Sequence, residues 1–148
     1  MVNSNLQISQ MSENDLLSIK DVLIDNFDDF WSYDLLKEEY YSSTSKYFVA
    51  KLDSLIVGFI GIKIILDCAE IMNIVTAKKF RHSGIASSFI KYIISFCEEN
   101  NIKNINLEVN TKNSIAINLY KKYNFKQVGL RKNYYNSTDD AILMTFMI

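Results

Sequence analysis

Six consecutive residues, Arg81-His82-Ser83-Gly84-Ile85-Ala86, bring together the types that can hold a phosphate. Gly84 permits close backbone approach, Ala86 keeps the next turn free of bulk, and Arg81 and His82 add charge or hydrogen-bonding capacity beside them. The segment lies between a strand-like stretch and a long helical one. Amide N–H groups at such a helix start point outward with the positive end of the helix dipole behind them, and phosphate binds in such places. Alone, Arg-x-x-Gly-x-Ala is equally a plain helix start with solvated charges. Other nucleotide loops fit worse: the only glycines are Gly58, Gly61, Gly84 and Gly129, which can spell neither GxGxxG nor a Walker loop. Cys68 and Cys97 sit in apolar runs without CxxC or Cys/His spacing, so they read as reduced core thiols and no metal is expected.

The elements that must position this loop follow from hydrophobic spacing. Leu6 to Gln10 reads as a strand. Ser12 and Asp15 form a capping box with Asp in place of Glu, opening a helix through Leu16, Ile19, Val22 and Leu23. Ser32, after Trp31, caps a second helix carrying Leu35, Leu36 and Glu39. Tyr47 to Leu52, Ile56 to Leu66 and Ala69 to Thr76 are rich in β-branched and aromatic residues and read as an antiparallel meander, with Asp53-Ser54 as its first turn. From Gly84 to Asn101 the period becomes helical through Ile85, Phe89, Ile93 and Phe96. A strand over Ile105 to Val109, a helix from Ser114 to Tyr123, and strands near Lys126 to Arg131 and Ala141 to Ile148 complete the order β-α-α-β-β-β-α-β-α-β-β. This is an α/β (α+β) arrangement with a mixed central sheet, not a doubly wound parallel one.

Composition narrows the class. The chain has 148 residues, 49% hydrophobic and 22% charged, the make-up of one globular domain over 1–148. Sixteen Lys+Arg against 17 Asp+Glu leave no basic excess for nucleic acid. The first residues lack the order of a signal peptide, and the apolar run from Ile56 to Leu66 is broken by Gly58, Gly61 and Lys63, so no membrane span is expected. The expected setting is cytoplasmic.

In this context Arg81-x-x-Gly84-x-Ala86 resembles the coenzyme A pyrophosphate loop of the GNAT acetyltransferase superfamily, and the element order resembles the GNAT fold. Leu107-Glu108-Val109, Asn113, Ala116-Ile117-Asn118-Leu119-Tyr120 and Tyr123-Asn124-Phe125 are similar to the matching segment of the RimI branch of protein N-terminal acetyltransferases. So is the ending Arg131-x-x-Tyr134-Tyr135 with Asp140-Ala141-x-x-Met144, and upstream Phe30-Trp31-Ser32. Lys78 stands where relatives often have proline, His82 where they have arginine, and Asn124 where they have glycine.

The resemblance implies acetyl-CoA as acetyl donor, and Glu108 as general base with Tyr120 as general acid. It implies a coenzyme site from Ile74, Val75, Thr76, Arg81, His82, Ser83, Gly84, Ile85, Ala86, Ser87 and Asn113. Trp31, Tyr134 and Tyr135 would border the acceptor groove, the two tyrosines in a loop between the last two strands, with one of them packed against the sheet. The chemistry asks for such a pair, because an α-amine of pKa about 8 must lose a proton and a departing thiolate benefits from a donor. The implied acceptor is a protein N-terminus, the alanine of a small-subunit ribosomal protein in the family's best-known case. A small-amine acetyltransferase acting on a polyamine is the alternative, kept open by Asp25, Asp28 and Asp29. A non-catalytic acyl-CoA-binding module is a third.

Overall fold

Alternation and capping place most of these elements as the sequence predicts. The computed structural model describes residues 5–22, 32–135 and 138–148. Strand β1 (Leu6–Gln10) leads into helices α1 (Glu13–Val22) and α2 (Tyr33–Tyr40). Strands β2 (Ser45–Leu52), β3 (Leu55–Ile65) and β4 (Cys68–Thr76) follow, then a 3-10 turn (Lys78–Phe80) and helix α3 (Ile85–Glu99). Strand β5 (Asn104–Asn110), helix α4 (Ser114–Lys122) and strands β6 (Lys126–Tyr135) and β7 (Asp139–Met147) complete the chain. Among the described residues the strands form one mixed sheet in the order β1-β2-β3-β4-β5-β7-β6. No described helix is long and apolar enough to cross a membrane.

The chain forms two compact units, Met1–Ile64 with Met72–Tyr92 and Ile65–Ile71 with Ile93–Ile148. In the first, β1 pairs antiparallel with β2 and β2 with β3, the Asp53-Ser54 turn taking the left-handed conformation at both residues (φ 47° and 74°) that a tight hairpin needs. The capping box closes in both directions: Asp15 N–H donates to Ser12 Oγ at 3.1 Å, and Ser12 N–H donates to the Asp15 carboxylate at 2.9 Å. Ser32 Oγ likewise accepts from Leu35 N–H at 3.2 Å. These caps fix two helices whose Leu16, Ile19 and Leu36 pack with Tyr47, Val49 and Phe59 from the sheet.

In the second unit β5 pairs parallel with the start of β4 and antiparallel with β7, and β7 pairs antiparallel with β6. The strict alternation of β5 buries Ile105, Leu107 and Val109. Helix α4 stops in a Schellman turn: Phe125 N–H donates to Tyr120 O and Asn124 N–H to Lys121 O, both at 3.0 Å, with Asn124 at φ 69°. Asparagine here takes the left-handed position that glycine most often fills at a helix end.

Two expectations need correction. Tyr134 and Tyr135 are not in a loop but are the last residues of β6, with Tyr135 opposite Asp139. The polar Lys132-Asn133 pair reads as the start of a loop after a strand ending at Arg131, but an irregularity between Arg131 and Tyr135, with Asn133 at φ 52°, absorbs it and lets pairing resume. The residue that completes the buried face of α3 after Ile85, Phe89 and Ile93 is Cys97, while Phe96 is only half-buried. The 3-10 turn at Lys78–Phe80 had no sequence signal. Leu23 and Trp31 lie outside the described residues.

Because Asn124 holds a left-handed conformation, Asn124→Ala should lower unfolding stability by about 1 kcal/mol, and Asn124→Gly should leave it equal or higher. Chemical denaturation of the two variants checks this.

Candidate active site

In the first unit the last residues of β4, Ile74, Val75 and Thr76, are half-buried and run directly into the phosphate-type loop. Gly58 on β3 makes their packing possible: a Cβ there would come within 2.6 Å of the Val75 carbonyl and 3.2 Å of the Phe89 ring. Ala77 N–H then donates to Val57 O at 2.8 Å, which anchors the chain where it leaves the sheet. The loop bends through left-handed His82 (φ 64°) and Gly84 (φ 86°), and Ser83 Oγ donates to the Phe80 carbonyl.

Both the N–H and the hydroxyl of Ser88 return to the Gly84 carbonyl at 3.0 Å. That is the first bond of the helical ladder, so the amides of Ile85, Ala86 and Ser87 lie ahead of it as donors. The first turn of α3 carries no acidic side chain to repel an anion. Arg81 and His82 are exposed beside it, and the Ile85 side chain is buried, leaving only its amide to serve a ligand. The donor set fits a diphosphate.

The second unit holds the ionisable pair. Glu108 sits on the polar face of β5, its side chain 22% exposed. One carboxylate oxygen, Oε1, pairs with Arg131 Nη2 at 3.0 Å. The other, Oε2, is buried and has no hydrogen-bond partner. An oxygen desolvated and left unpaired costs stability unless a reacting group uses it. Tyr120, near the end of α4, is half-buried with its ring 5.7 Å from that of Phe125. Burial, with a further contribution from Tyr135, pushes its phenol up to about 12, so it remains a proton donor throughout the neutral range.

Asn113 is the N-cap of α4: its Oδ1 accepts from Ala116 N–H at 3.2 Å, which leaves its amide nitrogen available for a ligand. Tyr134 and Tyr135 meet edge to face with centroids 5.0 Å apart, Tyr134 exposed and Tyr135 half-buried. Trp31 and the acidic Asp25, Asp28 and Asp29 lie outside the described residues. Cys97 is no nucleophile, since burial pushes its thiol up to about 11. Among the described residues no cluster of side chains could hold a metal ion.

Two features went unread in the sequence. Arg131 was visible only as the first letter of Arg-x-x-Tyr-Tyr. The hairpin end that carries the tyrosines is tied down by acids: Asp140 accepts from Asn133 N–H at 2.9 Å, and Asp139 takes Asn110 Nδ2 at 3.0 Å and Lys112 Nζ at 2.7 Å.

Residues 16–125 match the Acetyltransferase (GNAT) family. The chain belongs to that family. Its relatives include a Bacillus subtilis protein provisionally named a [ribosomal protein bS18]-alanine N-acetyltransferase, 28% identical over 139 residues, 93% of this chain and 92% of that one. The GNAT fold is shared with the crystal structure of the ribosomal-protein-S18-alanine N-acetyltransferase from Escherichia coli, with a TM-score of 0.88 at 24% identity over 97% of this chain and 94% of that one. It is shared also with a GNAT acetyltransferase from Elizabethkingia anophelis with acetyl-CoA bound, with a TM-score of 0.82 at 23% identity over 99% of this chain and 100% of that one. This GNAT chain is an N-acetyltransferase by family.

The Lys112 ammonium and the Asn110 amide hold the Asp139 carboxyl below its ordinary value. A depressed folded pKa stabilises above the unfolded value, about 3.9, and that contribution is lost as pH falls through the folded one. Thermal unfolding between about pH 5 and 2 should therefore show a steeper loss for the wild type than for Asp139→Asn.

Proposed function

We propose that this chain transfers the acetyl group of acetyl-CoA directly to the N-terminal amine of a protein, an alanine N-terminus of a small-subunit ribosomal protein being the leading acceptor. The observation that carries the reading is Glu108: one oxygen held by an arginine, the other buried and unpartnered. The name of the Bacillus subtilis relative supports the choice of acceptor. A ribosomal acceptor would place the reaction in the cytoplasm. We take residues 1–148 as one acetyltransferase domain, supported by a single family match that runs through both compact units.

The amides of Ile85, Ala86 and Ser87, with Arg81, His82 and Ser83, hold the diphosphate, Gly84 shapes the turn, and the backbone of Ile74, Val75 and Thr76 lines the pantetheine arm. The Asn113 amide adds a contact to the coenzyme. Acetyl-CoA supplies an acetyl group already activated as a thioester.

At neutral pH an α-amine with pKa near 8 is mostly protonated. Glu108 Oε2, buried and without a hydrogen-bond partner, accepts that proton. Tyr120 donates a hydrogen bond to the departing sulfur. With its phenol at about 12 against about 8.5 for a thiol, it shares its proton rather than surrendering it, so the proton the thiol finally carries traces back to the amine or solvent. Tyr134 and Tyr135 border the acceptor chain, where aromatic walls and backbone pairing hold a flexible N-terminus.

Thiol release from acetyl-CoA, followed with an alanine-starting peptide, a lysine-bearing peptide and spermidine, tests the reading. The alanine peptide should react, and Glu108→Gln should slow it by about 10²-fold or more with coenzyme binding unchanged. Turnover that Glu108→Gln leaves intact removes Glu108 from its role. Reaction with spermidine but no peptide makes the chain a small-amine acetyltransferase, and coenzyme binding without thiol release from any amine makes it a binding module.

A further inference from the structure

Glu108 and Arg131 lie on strands that do not touch. The order β5-β7-β6 puts β7 between them, so their backbones are two strand spacings, about 9.6 Å, apart. Register decides that they can still meet. Glu108 is opposite Leu143, and both Arg131 and Asn110 are opposite Ala141. Directly opposed residues share a face, and so do positions two apart on one strand. Glu108, Asn110, Ala141, Leu143 and Arg131 therefore project on one side of the sheet. The residue that Arg131 must cross is Ala141, with its single methyl group fully buried, and a larger side chain there would fill the lane.

The guanidinium is fixed at both ends. Its Nη2 is 3.0 Å from Glu108 Oε1, and its Cζ is 4.8 Å from the centroid of the Tyr134 ring. Arg131 itself is 53% exposed, and an ion pair so open to water adds little to stability. Stability is a poor reason for an arginine to span a strand. Orientation is a better one. A free carboxylate rotates and offers either oxygen, whereas the paired one keeps Oε1 engaged and turns Oε2, buried and unpartnered, toward the reaction.

We propose that Arg131 is the positioning residue for the base: it reaches across β7 over Ala141, clamps one oxygen of Glu108, and is itself held against Tyr134 on the acceptor-lining end of β6. This rests on Glu108 being the base. A misplaced reacting group costs about 10²-fold in rate. Arg131→Ala and Arg131→Met should therefore lower kcat by about that factor while leaving the KM for acetyl-CoA and the melting temperature near wild type. Arg131→Lys, shorter and with one point of contact, should retain an intermediate rate. Added methylguanidinium should restore part of the Arg131→Ala rate and do nothing for Glu108→Gln.

The two readings fail differently. If kcat of the Arg131 variants stays within about twofold while Glu108→Gln is inactive, the clamp is wrong and the base stands. If Glu108→Gln is itself active, the base falls and the clamp with it. If Arg131→Ala and Arg131→Met lose rate only in proportion to lost folded protein, and neither lysine nor methylguanidinium restores it, the arginine is structural and the proposal is overturned.

Discussion

A buried carboxylate oxygen without a hydrogen-bond partner, on a strand face that otherwise carries hydrogen-bonded asparagines, is the constraint on which the proposed chemistry of this chain depends. The alternation of β5 sends Ile105, Leu107 and Val109 into the core and sets Asn104, Asn106, Glu108 and Asn110 on the other face. Asn106 donates to Asn104 at 2.9 Å and accepts from Thr145, its partner on β7, at 2.6 Å. Asn110 donates to Asp139. Within this ladder Glu108 is answered on one side by Arg131 and left bare on the other. Buried polar groups are nearly always paired, and the proposed role of Glu108 as the base rests on this exception.

The local half of the fold was legible because its signals are local. Ser12 with Asp15, Ser32, Asp53-Ser54 and Asn124 act within four residues of themselves, and the structure uses each as read. What the sequence hid depends on register between distant strands. That Arg131 and Glu108 share a face follows only after β7 is set between them, and nothing within either segment shows it. The same applies to Tyr134 and Tyr135, which a polar, asparagine-containing run disguises as loop until pairing with β7 draws them into β6. Phe96 and Cys97 are a smaller case: periods of 3.6 leave the two equally plausible at the end of the stripe, and packing chooses the smaller side chain.

The donor half was read differently, by exclusion and then by resemblance. Four glycines rule out the common nucleotide loops, and Gly84 is the one glycine at a strand-to-helix junction. Its φ of 86°, together with the left-handed His82 two residues earlier, shows why the spacing matters. The loop must reverse direction twice before α3 can begin with its amides unspent. An arginine at position 82 would add charge, but histidine is among the side chains that enter the left-handed region more readily. The departure from the family's usual residue keeps the backbone path.

Helix termination does chemical as well as structural work in α4. The Schellman turn draws Phe125 N–H onto the carbonyl of Tyr120, so the residue that folds back over the helix end is bonded to the proposed acid. Phe125 then stacks near Tyr120 on one side, at 5.7 Å, and near Phe146 of β7 on the other, at 5.5 Å. Burial, with a further contribution from Tyr135, pushes the phenol up to about 12. The left-handed Asn124 is what makes the fold-back possible. How the helix stops thus shapes the surroundings of the tyrosine, and the left-handed conformation of one asparagine acts on a residue four positions before it.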